Sequence, residues 1–391
     1  MRRPRVLIIG HYGGHNTGDE AMLGGLLRAL PAEWKGNLVI ARKGGGNGVA
    51  SEGRELNYVP CRFFPLARQV FRCEGVVLGG GTHFHDDYAQ ARYLRHFLYM
   101  ARIVAVSWLG HLLGRQVLWL GIGFGPLRRR SARYLTVLGL QSCDWITVRD
   151  EASFREIAHW VRPGRLARTF DLAALLPVGY PPWPSPAERP FRLGISVTSA
   201  ARSRSAGREV DRRFHETALK ALGQVYREFP RLQIRIFVLR GGKREDDGNL
   251  SFSYWNHLRE IDPRRVELRK YDPDPARTLR AVAGCSHFLA TRFHAGLMAY
   301  LAGCRMLLVA YHRKVQDQGR ELGLPERAVI PVRERPGGPD LLTSLRDLLD
   351  DSPAFVAGLA RSEAITRARA NLLPFREPIS GHPIRTTGGS E

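Results

Sequence analysis

Short apolar runs alternate with amphipathic stretches along most of the chain. The pattern predicts strands near residues 5–10, 38–41, 75–78, 117–121, 145–148, 191–197, 232–239, 287–293 and 305–310. Between these runs, helical spacing of apolar residues marks 20–30, 214–229, 275–283, 295–302, 340–349 and 354–371. Short strands that alternate with helices are typical of parallel sheets built from βαβ units.

A proline-rich segment divides this pattern into two halves. Residues 177–186 read PVGYPPWPSP, and five prolines in ten residues exclude both a helix and a central strand. The segment therefore predicts two Rossmann-like α/β domains that face each other across a cleft. We expect an N-terminal domain over 1–180, a C-terminal domain over 187–350, a C-terminal helix over 351–375 and a flexible tail over 376–391.

Composition narrows the class of protein. Hydrophobic residues make up 44% of the chain and charged residues 25%, as in ordinary globular proteins. Five cysteines without a C-x-x-C pair suit reduced thiols in a cytoplasm. The longest apolar stretch, 97–114, is interrupted by Arg102 and His111, so a buried helix is expected there rather than a membrane span. These features predict a cytoplasmic protein.

The chain is strongly basic. Lys and Arg number 59 against 37 Asp and Glu, a formal net charge of +22, and only six of the cations are lysines. Two explanations stay open: a basic surface for phosphorylated ligands, nucleic acid or the inner face of an anionic membrane, or an arginine bias of the coding sequence. Because the densest arginine block, Arg128–Arg130, is only three residues long, no nucleic-acid partner is expected.

A glycine-rich loop, Gly10–Glu20, follows the first predicted strand. Glycines allow a ligand to approach the backbone closely, and Thr17 with Glu20 fits a capping box that would start a helix near Gly18. The loop is neither a Walker A nor a G-x-G-x-x-G motif. Its polar side chains, including Tyr12, Asn16 and Asp19, indicate ligand binding, while a capped turn without a ligand is the alternative.

A second glycine run, Gly79-Gly80-Gly81, ends the third predicted strand and leads into Thr-His-Phe-His-Asp86-Asp87. The carboxyl ends of strands are where open parallel sheets bind ligands. Because the H-x-H-D-D spacing fits no zinc signature, no metal is expected. Ligand binding and a purely structural loop both remain open for Gly80, Gly81 and Asp86.

Cationic residues follow three other predicted strands. Arg149 ends one of them, where it can clamp a phosphate or carboxylate or pair with a neighbouring acid. Arg292 and His294 are two apart and are expected to share one face of an extended segment before a helix N-terminus. An Arg beside a His suits anion binding with proton transfer. Lys314, one of the six lysines, follows the next strand.

In this order and spacing, the motifs resemble those of the polysaccharide pyruvyl transferases over about residues 5–325. The shared elements are G-x-Y-G-x-x-N-x-G-D-E-A at Gly10–Ala21, GGG-x-x-x-x-D at Gly79–Asp86, G-x-G-x-G-P-L at Gly121–Leu127, ITVRD at Ile146–Asp150, D-x-A-x-L-L at Asp171–Leu176, R-F-H-A at Arg292–Ala295 and K-V at Lys314-Val315. The resemblance implies a two-domain fold like that of GT-B glycosyltransferases.

The resemblance also implies transfer of a pyruvyl group from phosphoenolpyruvate to two hydroxyls of a sugar, with release of phosphate. Phosphoenolpyruvate is then a co-substrate, and no other cofactor is expected. We expect His294 to be catalytic and Arg149, Arg292 and Lys314 to bind the donor. The N-terminal loops are expected to hold a sugar or a lipid-linked saccharide acceptor. Two alternatives remain: a nucleotide-sugar glycosyltransferase of the same fold, and a non-enzymatic basic binding protein.

Overall fold

A computed structural model describes residues 5–43, 56–88, 90–199, 208–242, 247–311, 313–332 and 340–375. It contains a seven-stranded and a six-stranded sheet, each with strands in parallel only. The two sheets lie on either side of the proline-rich segment 177–186. The predicted tail over 376–391 lies outside the described residues.

The N-terminal sheet has the strand order β3-β2-β1-β4-β5-β6-β7. Its strands are β1 (Val6–Ile9), β2 (Leu38–Arg42), β3 (Asn57–Pro60), β4 (Gly75–Phe84), β5 (Gln116–Phe124), β6 (Trp145–Val148) and β7 (Leu166–Arg168). Its helices are α1 (Thr17–Ala29), α2 (Phe63–Val70), α3 (Gln90–Leu112), α4 (Arg130–Gln141) and α5 (Glu151–Ile157), with 3-10 turns at Ala32–Trp34, Ala158–Trp160 and Leu172–Leu175.

The C-terminal sheet has the order β10-β9-β8-β11-β12-β13. After a 3-10 turn at Pro186–Glu188, its strands are β8 (Arg192–Ser196), β9 (Gln233–Phe237), β10 (Val266–Arg269), β11 (His287–Ala290), β12 (Arg305–Ala310) and β13 (Val329–Pro331). The helices are α6 (Arg208–Glu228), α7 (Gly248–Arg259), α8 (Pro275–Ala283), α9 (Phe293–Ala302), α10 (Arg313–Glu321), α11 (Leu341–Leu349) and α12 (Arg361–Arg369), with 3-10 turns at Glu326–Ala328, Pro353–Phe355 and Ala370–Phe375.

Two apolar cores hold these layers together. One core lies between the N-terminal sheet and helices α2, α3 and α4. The other begins on the opposite side of that sheet, at α1 and the Leu172–Leu175 turn, and continues through α8 and α9 into the C-terminal domain. Because burial of apolar surface is the main stabilising term in folding, the continuous second core fixes α1 against α9.

The end of the chain returns to the N-terminal domain. Asn371 is fully buried; its side-chain oxygen accepts from the hydroxyls of Thr147 (2.5 Å) and Thr169 (2.9 Å), and its Nδ2 donates to the Phe170 carbonyl (3.0 Å).

A single predicted helix over 354–371 is wrong: Pro353 and Gly358 precede α12, and the helix gives way to a 3-10 turn that contains Pro374.

The glycine run at 79–81 does not end its strand. β4 continues to Phe84, with Gly79 beside Leu120 and Gly81 beside Ile122 of β5. Gly80 and Gly81 have φ of +63° and +88°, and a Cβ on Gly80 would lie 2.6 Å from the sulfur of Met22. The glycines therefore allow α1 to pack directly on the strand, which the predicted boundary missed.

Helix α1 also begins differently from the prediction. Asn16, rather than Thr17, is the N-cap, and its side chain accepts from the Gly18 amide. The Thr17 amide donates instead to the Leu239 carbonyl of the C-terminal domain (2.9 Å), and Glu20 accepts from the Gly13 amide (2.7 Å). The first turn of α1 is thus built into the contact between the domains.

Candidate active site

The candidate site lies where the two sheets face each other. In each sheet the order of successive strands switches sides between two neighbouring parallel strands, β1 and β4 in one and β8 and β11 in the other. Open α/β sheets bind ligands at such points. The loop after β1 contacts the segment after β9: Thr17 donates to Leu239, Gly241 donates to His15 (both 2.9 Å), and Asn16 pairs with Arg240 in an antiparallel bridge.

Asp171 is the central carboxylate of this site. It is buried just after β7, where it caps the following turn by accepting from the Ala173 amide. One carboxylate oxygen accepts from Arg149 Nη1 at 3.0 Å and lies 3.6 Å from His294 Nε2. Burial alone raises the pKa of Asp171, but the neighbouring His294 and Arg149 together with the Ala173 amide lower it to about 2. Asp171 is therefore ionised at neutral pH.

Arg149 is held on several sides. Besides Asp171, it donates to Thr82 Oγ1 (3.0 Å) and Asp150 Oδ2 (3.4 Å), and its guanidinium lies 4.4 Å from the ring centre of Phe293 in the C-terminal domain. Arg149 thus pairs with neighbouring acids, one of the two alternatives that the sequence left open, and its contact with a phosphate or carboxylate ligand stays a prediction. Its position orients Asp171 toward the other domain.

His294 reaches across the interface from the first turn of α9. Its Nε2 is buried and has no hydrogen-bond partner among the described residues, since 3.6 Å to Asp171 is too long for one. The other side of the ring packs on the start of α1, where a Cβ on Gly18 would lie 2.1 Å from Nδ1. Gly18 thus makes room for the imidazole, and Asp171 faces it with a negative charge.

Arg292 lies beside His294 but points elsewhere. The expectation that both share one face of an extended segment is wrong, because β11 ends at Ala290, Arg292 is the N-cap residue of α9, and His294 lies within the helix. Arg292 forms a bidentate ion pair with Asp247, with distances of 2.6 and 2.7 Å. Thr198 donates to the same carboxylate at 2.9 Å, so the guanidinium is fixed at the cleft.

Lys314, Asp19 and Arg240 also lie in the cleft, where burial and neighbouring charges shift their pKa values. Lys314 keeps solvent access at the start of α10. The surrounding protein removes part of its water, and with the charges of Arg149 and Arg292 lowers its pKa to about 8. Burial raises the pKa of Asp19 above its usual value, an effect that His294 and Asn16 oppose. Burial together with Arg292 lowers the pKa of Arg240, which nevertheless stays a cation.

The cleft therefore concentrates positive charge around a histidine. Arg149, Arg240, Arg292 and Lys314 meet there, with Arg149 paired to Asp171 and Arg292 to Asp247. Such an arrangement attracts an anion, and the N-terminus of α9 favours negative charge at the same place. A histidine that lies beside an ionised carboxylate at the edge of this cationic cleft has the chemistry for proton transfer to or from a bound anion.

Asn16 and Asp19 lie next to this cluster. The remaining predicted residues of the N-terminal domain lie away from it. Tyr12 is buried and donates to the Gly79 carbonyl (2.5 Å), which ties the first loop to β4. Gly80 and Gly81 lie in β4 beneath α1. Asp86 is buried and accepts from the Arg129 amide (2.5 Å), which supports the loop after β5.

A group of aromatic and histidine side chains lies behind the first two loops. His83 is buried, contacts Tyr99 Oη at 2.8 Å, and stacks on His11 at 4.5 Å between ring centres. Burial lowers the pKa of His83 to about 3, so it is neutral. In the part of the chain that the structure describes, no three His, Cys, Asp or Glu side chains are grouped so that they could hold a metal ion.

Sequence reasoning missed three residues of the cluster. Asp171 was noted only as part of a motif, yet it follows β7 and caps a turn, a position from which a side chain faces the cleft. Arg240 lies in the segment after β9, and no motif in the sequence marked it. Asp247 is the N-cap residue of α7, and only the pairing with Arg292 reveals its role.

Comparison with known proteins supports the resemblance of the motifs. A family model described as polysaccharide pyruvyl transferase matches residues 16–313. A search of curated proteins found no match to the sequence. Among solved structures, MnaA of S. aureus, solved with UDP, has a TM-score of 0.57 at 11% identity, with 95% of this chain and 94% of that chain covered.

Two other solved structures share the architecture. UDP-GlcNAc 2-epimerase from Methanocaldococcus jannaschii has a TM-score of 0.57 at 9% identity, covering 93% of this chain and 98% of its own. HepE of Anabaena, in complex with UDP and glucose, has a TM-score of 0.52 at 11% identity and covers 95% and 97%. These likenesses confirm the predicted GT-B-like fold. Because the family model spans most of the sequence, this chain is a member of the polysaccharide pyruvyl transferase family.

Proposed function

We propose that this protein transfers a pyruvyl group from phosphoenolpyruvate to two hydroxyls of a sugar in the cytoplasm, with no cofactor beyond that co-substrate. The observation that carries the proposal is the contact of His294 with Asp171 across the domain interface, beside a cleft lined by Arg240, Arg292 and Lys314. Phosphoenolpyruvate carries a phosphate and a carboxylate, and each requires cationic partners.

In the proposed complex, the donor lies at the N-terminus of α9. Arg292, already oriented by Asp247, and Lys314 hold the two anionic groups, with Arg240 contributing charge from the facing segment. Charge-assisted hydrogen bonds of this kind contribute about 1.5–3 kcal/mol each. Arg149 acts from behind, because its guanidinium is engaged by Asp171 and Thr82; it strengthens the positive field and holds Asp171 in place.

His294 is the proposed acid and base. In its protonated form it gives a proton to the methylene carbon of the enol, so that the adjacent carbon becomes electrophilic. One sugar hydroxyl adds to that carbon and returns its proton to His294. A second hydroxyl then displaces the phosphate. The leaving phosphate takes up the proton of that hydroxyl, and the ketal is formed. The ionised Asp171 stabilises the imidazolium form, and acid–base catalysis of this type supplies about 10²–10⁴-fold.

The acceptor is proposed to enter from the N-terminal side. Asp19 and Asn16 lie at the start of α1, within reach of the charges on His294 and Arg240. Their side chains are hydrogen-bonded to each other (2.7 Å) and present oxygen atoms suited to sugar hydroxyls. Tyr12, Gly80, Gly81 and Asp86 support the loops that carry this surface. A free glycoside and a lipid-linked saccharide both satisfy this chemistry.

The test is release of inorganic phosphate from phosphoenolpyruvate in the presence of a panel of simple glycosides, with mass spectrometry of the sugar product. The wild-type protein is expected to form a pyruvate ketal, and His294→Ala to lose turnover while phosphoenolpyruvate still raises its melting temperature. His257→Ala, in α7 of the same domain, is the matched control and should stay active. Turnover of His294→Ala within a few-fold of wild type would contradict the assignment.

A nucleotide-sugar glycosyltransferase is the second candidate, because solved structures with this fold are complexes with UDP and with UDP-GlcNAc. The same panel separates the two. Thermal stabilisation by UDP but not by phosphoenolpyruvate, together with sugar transfer from a UDP-sugar, would replace the pyruvyl transferase proposal.

A further inference from the structure

One side of the N-terminal domain presents exposed apolar side chains over a wide area. Helices α2, α3 and α4 lie side by side on the same face of the sheet, and their inner residues form one core. Their outer residues therefore all face away from the sheet. Among these, Phe64 is 83% exposed, Leu98 62%, Leu112 75% and Tyr134 72%. Singly exposed apolar residues are ordinary, but a contiguous group of them marks an interaction surface.

The outer residues of α3 form a stripe along the whole helix. Leu94, Leu98, Ala105 and Leu112 are exposed and follow each other at spacings of four, seven and seven residues, which place them on one side of the helix. The buried helix predicted over 97–114 is part of α3, and only one side of α3 packs on the sheet. None of the described helices is long and apolar enough to cross a bilayer.

The three helices form a continuous layer. At one end, Arg115 Nη2 donates to the Phe71 carbonyl (3.2 Å), which joins the C-terminal ends of α2 and α3. At the other end, Tyr93 Oη lies 2.8 Å from Ser131 Oγ, which joins α3 to the start of α4. We call the outer surface of these three helices the docking face.

The charge of the docking face has one sign. The sequences of α2, α3 and α4 contain no Asp or Glu and six arginines. These arginines are Arg68, Arg92, Arg95, Arg102, Arg130 and Arg133. In a chain with 37 acidic residues, a layer of 43 residues without one is distinct from the rest of the molecule. Arginines are no denser here than in the chain as a whole, but because no acidic residue offsets them, the three helices carry a formal charge of +6 beside the exposed leucines and aromatic rings.

We propose that the docking face binds the surface of an anionic lipid bilayer. Apolar side chains that enter the boundary between headgroups and acyl chains, flanked by cations that meet lipid phosphates, are what holds a helix in the plane of a membrane. Each cation near an anionic leaflet adds to the attraction. A nucleic acid would use the arginines but leave Phe64, Leu94 and Leu98 in water, so the bilayer accounts for both properties of the face.

One end of the docking face lies at the same edge of the N-terminal sheet as the cleft. The helices begin at the carboxyl edge of the sheet, where β1 and β4 lead into the loops of the candidate site. A protein lying on a membrane through these helices holds the rim of its cleft close to the lipid headgroups. If the proposed function is correct, this favours a lipid-linked saccharide as the acceptor; only this last step rests on that function.

The experiment is sedimentation of the full-length protein with vesicles, without any substrate. We expect binding to vesicles of phosphatidylglycerol and phosphatidylcholine, weaker binding as salt rises, and little binding to phosphatidylcholine alone. Leu94→Ser/Leu98→Ser and Arg92→Glu/Arg95→Glu should each weaken binding about tenfold or more. The matched control is Phe252→Ser/Arg264→Glu, which changes an exposed ring and an exposed arginine of the C-terminal domain and should bind like wild type.

Three outcomes would overturn the proposal: equal binding to neutral vesicles, unchanged binding of both docking-face variants, or tighter binding to a random DNA duplex than to anionic vesicles with no effect of the serine substitutions. Circular dichroism establishes that each variant is folded. Phosphate release from phosphoenolpyruvate with a soluble glycoside should be the same for wild type and docking-face variants. Failure of docking and failure of the proposed chemistry therefore give different results.

Discussion

A single methyl group at Gly18 tests the geometry of the site. Gly18 lies in the first turn of α1, where alanine is ordinarily more favourable than glycine by about 1 kcal/mol. Here a Cβ would lie 2.1 Å from Nδ1 and 2.3 Å from Cγ of His294. Unbonded heavy atoms approach favourably only to about 3.5 Å, so the imidazole must move by roughly 1.4 Å. A misplacement of about 1 Å in a catalytic group costs on the order of 100-fold in rate.

We therefore expect Gly18→Ala to lose about 100-fold in phosphate release from phosphoenolpyruvate while it stays folded. Gly24→Ala is the matched control in the same helix, since its Cβ would lie 3.1 Å from the flexible tip of Leu176, and it should keep wild-type activity. Melting temperatures of both variants, measured with and without phosphoenolpyruvate, separate loss of activity from loss of fold.

A double substitution makes the argument specific to His294. In Gly18→Ala/His294→Ala the ring is gone, so the added methyl group has space and any loss of melting temperature caused by Gly18→Ala should be recovered. Activity should be no lower than that of His294→Ala alone, because the two changes act through one side chain. A folded Gly18→Ala protein with activity within a few-fold of wild type would refute the reasoning.

Three further predictions concern charge and burial. Because the pKa of Lys314 is about 8, the affinity for phosphoenolpyruvate, measured by calorimetry, should fall as pH rises through 8, and Lys314→Arg should remove that dependence. Because the pKa of Asp171 is held near 2, below its value in the unfolded chain, Asp171 stabilises the native state above about pH 4 and loses that effect as pH falls toward 2. Asp171→Asn should flatten denaturant-measured stability in this interval. It should also cost about 3 kcal/mol at neutral pH, because it removes the nearer carboxylate of buried Arg149, which keeps only Asp150 at 3.4 Å. Tyr12→Phe should cost about 1 kcal/mol of unfolding free energy through the lost bond to Gly79 and leave phosphate release unchanged; a large loss of activity would instead support contact with the acceptor.

Much of the architecture followed from periodicity, because both sheets are built from short buried strands with helices between them. The element boundaries that were predicted wrongly share a physical cause, which is a contact with a distant part of the chain. Gly80 and Gly81 read as the end of a strand, yet they extend it, because a neighbouring helix needs the space that a side chain would fill. Asn16 displaced Thr17 as the cap because the Thr17 amide is bonded to the other domain. Neither effect can be read from local sequence.

Several residues of the site could be predicted from the sequence, but the directions of their side chains could not. A histidine and an arginine two residues apart indicated anion and proton chemistry, and both lie at the cleft. Their directions depend on where α9 begins, and a shift of that boundary by two residues sends Arg292 to Asp247 and His294 to Asp171. Both carboxylates are distant in sequence from their partners, so local sequence shows neither pairing, and the contact of His294 with Asp171 also requires the two domains to be assembled.

The backbone bridge between the loop after β1 and the segment after β9 has a kinetic consequence. The amides of Thr17 and Gly241 are each bonded to a carbonyl of the opposite domain, so separating the domains here requires two bonds to break together. We therefore expect opening at this point to be cooperative and exchange of these two amide protons with solvent to report it. Their exchange rate measures how often the cleft opens, and, for an acceptor that enters only through the open form, that frequency is the upper limit on turnover.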